Sequence, residues 1–455
     1  MKRILFFLGL LGLTIFSACK KDKEVDPPAD TPEGYLQQIT DVFKAEGFAN
    51  KIVPFSATPS NSVADLQALR PILANKQVVG LGEATHGTSE FQTIKHRMFQ
   101  LLATDLGFKN LVIEDNFSAV VPVNEYIRTG NGDVTTLLNG VRSSMFKTVE
   151  FRNLVQWMRA YNEGKSESEK INLYGMDAQN PGPSAQAVQA AVQQYDNGYL
   201  ATYNNLASSL LVDFSDFSSV EAFIAAVPDL RNRVAQIRSY VEANSNRYIN
   251  GAGQGGYNLL LQHIRILEQV MAQNVAGIAS ESEGFAARDK NMADNVQWIE
   301  QYTGGGKSVV WVHNGHIALQ QQTYLSRTPI NVLGTNLKAT YGDRFYSIGF
   351  IFNEGTFSAF DMKANPPQSR DFTVQPYENA ILARALASQS VPVFFYDMRQ
   401  GNQGRLVEVF TPKYETYFVG AVASDDVKEV TMAYSPIKEF DGFIFVRKTT
   451  ALQQY

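Results

Sequence analysis

Cysteine is all but missing from this chain: Cys19 is the only one in 455 residues. That excludes an intramolecular disulfide, so packing and polar contacts must hold the fold. Neither sign of charge is in excess. Lys and Arg number 40 against 45 Asp and Glu, a net charge of -5 that leaves no basic footprint for nucleic acid. No apolar run is long enough to span a bilayer once the N-terminus is processed, and no internal repeat marks a solenoid. A Gly-x-Ser-x-Gly elbow is also absent, so neither a serine nor a cysteine nucleophile has support. Gly304-Gly305-Gly306-Lys307-Ser308 imitates the end of a P-loop, but Gln301 stands where its first glycine belongs and the segment precedes a strand. It reads as a helix-ending turn.

Histidine is scarce too, and its placement is informative. Three of the five histidines fall in two short motifs, Gly82-Glu83-Ala84-Thr85-His86-Gly87 and Trp311-Val312-His313-Asn314-Gly315-His316. Each motif directly follows an apolar, β-branched run, Gln77 to Leu81 and Ser308 to Val312, and a third run, Asn110 to Ile113, delivers Glu114. Such runs read as buried strands of a parallel sheet. In open α/β sheets, ligands bind beyond the carboxyl ends of the strands. Two carboxylates and three imidazoles gathered there would supply acid–base chemistry near neutral pH. Asp177, after the run Ile171–Tyr174, is a fourth polar residue at a strand end. His96 and His263 sit inside helical patterns, off the apolar rows, and read as surface or interhelical residues.

The N-terminus has the order of an export signal. Lys2 and Arg3 precede an apolar stretch, Ile4 to Phe16, and Ser17-Ala18-Cys19 resembles a lipoprotein cleavage box. A plain secretory signal would end similarly, but the lone cysteine stands immediately after the apolar stretch. Residues 1–18 are therefore expected to be a signal peptide, with Cys19 lipidated. Residues 19–33, charged and proline-rich, form a tether. The expected product is an exported lipoprotein of the cell envelope, meeting the membrane through its anchor only.

A chain this long calls for more than one structural unit. Residues 34–183 are expected to form the first part of an α/β domain, a mainly parallel sheet flanked by helices. A helix near Tyr35–Glu46 and another near Ser62–Leu73 precede the first long strand. A helix from Glu90 to Leu106, with Ser89 and Gln92 as a capping box, then joins strands Gln77–Leu81 and Asn110–Ile113 into one βαβ unit. From 184 to 284 strand patterns vanish and helical spacing takes over, as in Leu230, Val234, Ile237 and Val241. That stretch is expected to be a helical insertion that caps the sheet. Residues 285–455 complete the α/β domain, with a helix Asp289–Gln301 and strands at Ser308–Val312, Phe345–Phe352, Val391–Tyr396 and Gly442–Val446.

The motifs, taken together and in order, resemble those of the erythromycin esterase family. The resemblance rests on Gly82 to Phe91 with Lys95-His96-Arg97, on Ile113-Glu114, and on Arg288-Asp289 with Met292 and Asn295-Val296. His313-Asn314-Gly315-His316, Gly342 to Phe350 and Phe440-Asp441-Gly442-Phe443 complete it, from roughly Gln77 to Leu452. It implies hydrolysis of ester bonds in a small-molecule substrate, the family's named members opening the macrolactone ring of macrolide antibiotics. It also implies that His86 is the base that activates water and that Glu83 and Glu114 orient or balance it. His313 and His316 would complete the cluster, Lys95 or Arg97 would hold substrate or oxyanion, and Asp177 joins them as a substrate contact. No cofactor is called for. The same five Glu and His residues are nevertheless competent metal ligands, so a metal-dependent hydrolase stays open, as does a non-catalytic lipoprotein that binds a small ligand.

The anchor is directly testable. Cys19→Ala is expected to move the protein from the membrane fraction to the soluble fraction after cell fractionation. A wild-type protein that is already soluble, with another residue at its N-terminus, would refute lipidation.

Overall fold

A computed structural model of the chain describes residues 31–211, 217–323, 328–401 and 403–455. The expected signal peptide, Cys19 and nearly all of the tether lie outside the described residues. The strands, in chain order, are β1 (Ile52–Pro54), β2 (Val78–Leu81), β3 (Phe108–Asn116), β4 (Asn172–Asp177), β5 (Lys307–Trp311) and β6 (Phe345–Asp361). They continue with β7 (Gln368–Val374), β8 (Val393–Asp397), β9 (Tyr414–Tyr417), β10 (Thr431–Tyr434) and β11 (Gly442–Thr449). The main sheet runs β1-β8-β11-β6-β2-β5-β3-β4. From β11 to β4 every pairing is parallel, whereas β8 and β1 add antiparallel edges and β7 folds back antiparallel on β6. Helices flank it. The fold is a mainly parallel α/β sheet, as the buried β-branched runs imply.

The expected βαβ unit is present, with a third strand inside it. β2 and β3 are joined by the helix Ser89–Leu106 but do not pair; β5 lies between them, Val79 and Leu111 both registering on Val309. A strand from far along the chain has displaced the local neighbour. The consequence is chemical: the strand that ends in the histidine motif now stands between the two that deliver Glu83 and Glu114.

The helices between β4 and β5 span Gly182 to Tyr302, the longest being Ser245–Ala279 and the last Glu281–Tyr302. Their apolar rows, Leu230–Val241 and Leu260–Met271, are buried against one another. The Ser245–Ala279 helix breaks its regular backbone at Gly253, whose φ of 71° suits only glycine without strain. Polar hooks fasten the helices to the sheet. Gln273 donates to the Ala178 carbonyl at 2.8 Å and Asn295 to that of Met176 at 2.8 Å. His263 belongs to this seam and not to the surface: it is buried, bonded to Ser118 at 2.7 Å, and burial drives its imidazole down to about 4.

The Ser89–Leu106 helix starts differently from the expected capping box. Thr88 occupies the cap position with no side-chain cap bond. Ser89 donates to Glu150 at 2.5 Å, and Gln92 is drawn away to the Met145 carbonyl and the Thr148 hydroxyl. Tertiary partners have outbid the local one. The first helix begins earlier than expected, at Pro32, with Thr31 as its cap.

Two glycines allow the Gly82–Gly87 loop to sit as close as it does. A Cβ on Gly82 would lie 2.3 Å from Asn314 Oδ1, and one on Gly87 would lie 1.7 Å from the Ser358 carbonyl oxygen. Backbone cannot yield as a side-chain tip can. Gly87→Ala is therefore expected to destabilise the fold by about 1–3 kcal/mol through overpacking, read as a lower urea midpoint, whereas Gly107→Ala, with open space around it, serves as the comparison for backbone strain alone. Equal midpoints for wild type and Gly87→Ala would contradict the close approach.

Candidate active site

β2, β5 and β3 end side by side, so the loops that follow them share one crevice. Glu83 lies just beyond β2, buried, and both its oxygens are engaged. Oε1 meets His86 Nδ1 at 2.6 Å; Oε2 accepts from Trp311 Nε1 at 2.8 Å and pairs with Lys95. Burial alone would push this carboxyl up, but Lys95 and His86 outweigh it and hold Glu83 at about 2. Lys95 is itself fully enclosed, 4.4 Å over the Trp311 ring, and burial draws it down to about 8 against the pull of Glu83. Because Glu83 is a carboxylate, the bonded Nδ1 of His86 carries the proton. The lone pair of His86 is then on Nε2, on a side chain that remains 19% exposed.

Glu114, beyond the middle of β3, is the second buried carboxylate. Oε1 accepts from Arg288 Nη2 at 2.9 Å and lies 3.4 Å from His316 Nε2, while Oε2 accepts from the His313 backbone N–H at 3.1 Å. Burial opposes its charge, yet His316 and Arg288 hold it well below the usual carboxylate range. Arg288 also grips Asp177, with Nη2 to Oδ2 at 2.7 Å, and these two acids raise its pKa despite burial. His316 places Nδ1 2.8 Å from Asp289 Oδ1. Burial disfavours its charge, but Asp289 and Glu114 prevail and lift it to about 10. His316 is an imidazolium at neutral pH.

His313 is the opposite case. Its Nδ1 accepts from the Gly315 N–H at 3.3 Å, which places the ring proton on Nε2. That Nε2 is buried and has no hydrogen-bond partner among the described residues. Burial, with His86 nearby, drives the imidazole down to about 3, so it stays neutral. The ring packs edge-on against Phe418 at 4.4 Å and against His86 at 5.2 Å between centroids. A neutral N–H without a partner among the described residues, beside the His86 ring, can donate to a developing negative charge.

Six of the residues expected at the site, Glu83, His86, Lys95, Glu114, His313 and His316, are brought together, and Asp177 joins through Arg288. Arg97 is not. Its guanidinium binds Asp65 at 2.5 Å together with the Ser56 and Ser62 carbonyls, because two residues along a helix turns it away from the face that Lys95 shows the sheet. Its role as a substrate contact is corrected to that of a clamp on the loop before the Ala64–Leu69 turn. Three participants were not assigned a role from sequence: Arg288, Asp289 and Trp311. Asp289 was detectable, since it falls in step with Met292 and Val296 on the buried face of its helix. A carboxylate in an apolar row needs a partner.

The chain is also similar to known proteins. A family model described as erythromycin esterase matches residues 103–449. An erythromycin esterase type II of Escherichia coli is 25% identical over 334 residues, covering 69% of this chain and 78% of that protein. A crystal structure of a Bacillus cereus protein superposes with a TM-score of 0.79 at 24% identity, covering 92% of this chain and 99% of the other. An erythromycin esterase mutant in its open conformation gives 0.63 at 14% identity, covering 88% of this chain and 97% of that one. The two structural likenesses concern the fold.

The charge on His316 can be read from stability against pH. Its folded value of about 10 lies above the ordinary 6.5. Below 6.5 the ring is charged in both states and its ion pairs stabilise fully; between 6.5 and about 10 that contribution is lost as pH rises. His316→Gln is expected to lower stability near neutral pH by about 3–5 kcal/mol, the usual cost of breaking a buried pair. It should also flatten the decline in urea midpoint across that window. Parallel declines in wild type and variant would mean His316 is not the charged partner of Asp289.

Proposed function

The chain belongs to the erythromycin esterase family, whose model covers residues 103–449, and from its site we propose that it hydrolyses carboxylic esters with water activated by His86. One observation carries this reading. His86 is bonded through Nδ1 to a carboxylate at 2.6 Å, and its ring lies 5.2 Å, centroid to centroid, from that of His313, whose Nε2 has no hydrogen-bond partner among the described residues. Base and oxyanion donor are thus neighbours.

In the proposed reaction, His86 Nε2 takes a proton from water as the water oxygen attacks the ester carbonyl carbon. Glu83, kept ionised by Lys95 and Trp311, stabilises the imidazolium that forms. The carbonyl oxygen, now an alkoxide, accepts from His313 Nε2–H. Collapse breaks the bond to the leaving alkoxide, which takes the proton back from His86, and acid and alcohol result. His316 and Arg288 neutralise Glu114, with Asp289 and Asp177 as their other acidic partners. No covalent enzyme intermediate is needed. Macrolide lactones are one member of this ester class, and the relative named erythromycin esterase type II supports including them. We assign substrate choice to the helices between 184 and 284, and attachment to the cell envelope to Cys19. Among the described residues no helix is long and apolar enough to cross a membrane.

The metal-dependent alternative fits the donor set poorly. Glu83 and Glu114 already accept from the N–H groups of His86, Trp311 and the His313 backbone and from two cations, Lys95 and Arg288, and His313 Nδ1 accepts from backbone. Among the described residues no three His, Cys, Asp or Glu side chains are grouped to hold a metal ion.

His86→Ala is expected to lower kcat on an ester panel by about 10²–10⁴-fold, the scale of a positioned general base, with little change in thermal stability. Dialysis against a chelator should leave the rate intact. Loss on chelation and recovery with zinc or manganese would make the five residues metal ligands. Tight binding of esters without turnover by the wild type would replace hydrolysis with capture.

A further inference from the structure

Lys95 serves the catalytic cluster, but the next two residues do not, and they lead to a second cavity. It has a volume of about 440 Å³ and is lined by Ser60, Asn61, His96, Glu150, Asn153 and Trp157 among others. None of the catalytic cluster lines it. The volume is in the range of small-molecule sites. One wall is the irregular segment after β1, which Arg97 pins by its bonds to the carbonyls of Ser56 and Ser62 and to Asp65. The opposite wall is the helix Val149–Asn162, which carries Glu150, Asn153 and Trp157.

Two features of the lining are chemically incomplete. Glu150 Oε1 accepts from the Ser89 hydroxyl at 2.5 Å and from the Gln453 N–H at 3.4 Å, but its Oε2 is buried without a hydrogen-bond partner among the described residues. Among the described residues no lysine or arginine pairs with it, and none lines the cavity. A carboxylate in such a wall, lacking a counter-charge, makes the cavity attractive to a cation. Trp157 offers its ring. With the Gln100 amide oriented to satisfy both neighbours, the indole N–H donates to Gln100 at 3.3 Å, so its polar edge is engaged. His96 lies beside it, ring centroids 5.6 Å apart, and burial with Arg97 nearby brings that imidazole down to about 4, so it adds no positive charge. A carboxylate, an indole face and a neutral imidazole are the elements that hold an ammonium group.

We propose that this cavity is a second binding site, for a small molecule that carries an ammonium group beside an apolar ring. The proposal is independent of the ester-hydrolysis reading, because neither Glu150 nor Trp157 takes part in it.

The test uses the purified full chain with benzylamine and the uncharged benzyl alcohol as probes, followed by calorimetry or saturation-transfer NMR. Benzylamine is expected to bind at least about tenfold more tightly, the scale of a charge pair reinforced by a cation–π contact. Glu150→Gln keeps an oxygen for Ser89 and should abolish that preference; Trp157→Leu should weaken both probes. Asn153→Lys, at an exposed position of the same helix, sets a cation at the rim and should also remove the preference should Glu150→Gln fold poorly. His86→Ala should bind benzylamine as the wild type does. Equal affinities for the two probes would overturn the proposal, as would a preference that survives both Glu150→Gln and Asn153→Lys or one that vanishes with His86→Ala.

Discussion

Two carboxylates are buried where three adjacent strands end, and most of the architecture around them follows from the need to neutralise them. An ionised acid enclosed without a partner would cost several kcal/mol, about what a small domain has in total. Glu83 finds Lys95 on the helix that follows it; Glu114 finds Arg288 and His316 from far along the chain. The two solutions differ in origin. The first is local, formed when β2 and its helix pack. The second exists only when the helix Glu281–Tyr302 and β5 have docked beside β3, so the cluster is complete only in the finished fold.

That dependence explains why the loop bearing His86 is held from three sides. The Gly87 carbonyl accepts from Ser358 N–H at 2.9 Å and Leu452 N–H at 3.1 Å. The Ala84 carbonyl accepts from Val419 N–H at 2.7 Å, in the segment that also sets Phe418 against His313. The end of the chain continues the clamp, with Ser89 N–H to the Thr450 carbonyl at 2.9 Å and Thr450 N–H to Glu90 at 2.7 Å. A catalytic base on a loop gains precision when rigid elements surround it. Here the last strand and its tail serve residues at the far end of the sequence.

What was legible in the sequence is what local chemistry writes. Short β-branched runs that end in Glu or His announced both the buried strands and the polar crevice beyond them, and scarcity made the histidines conspicuous. Strand order was not legible: nothing within β2, the next helix or β3 says that β5 will separate them, because pairing with Val309 is decided by the whole sheet. Arg97 was misplaced because proximity in sequence is not proximity on a helix face. Arg288, noted as part of a motif, was given no role for the converse reason. Its partner Glu114 is 174 residues away, and no periodicity links the two.

The three histidines show how one residue type is divided among roles by its surroundings. His86 has a carboxylate on one nitrogen and a partly exposed side chain, which suits a base. His316, between two acids, is lifted to about 10 and acts as a fixed positive charge. His313, with a backbone N–H on Nδ1 and aromatic rings around it, falls to about 3 and is a fixed neutral donor. Exchanging any two of these environments would undo the arrangement. A charged His313 would place a positive charge 5.2 Å from the His86 ring, and a neutral His316 would leave Glu114 and Asp289 with Arg288 as their remaining nearby cation. The opposite displacements of His313 and His316 are thus produced by the acids and aromatic rings around the imidazoles.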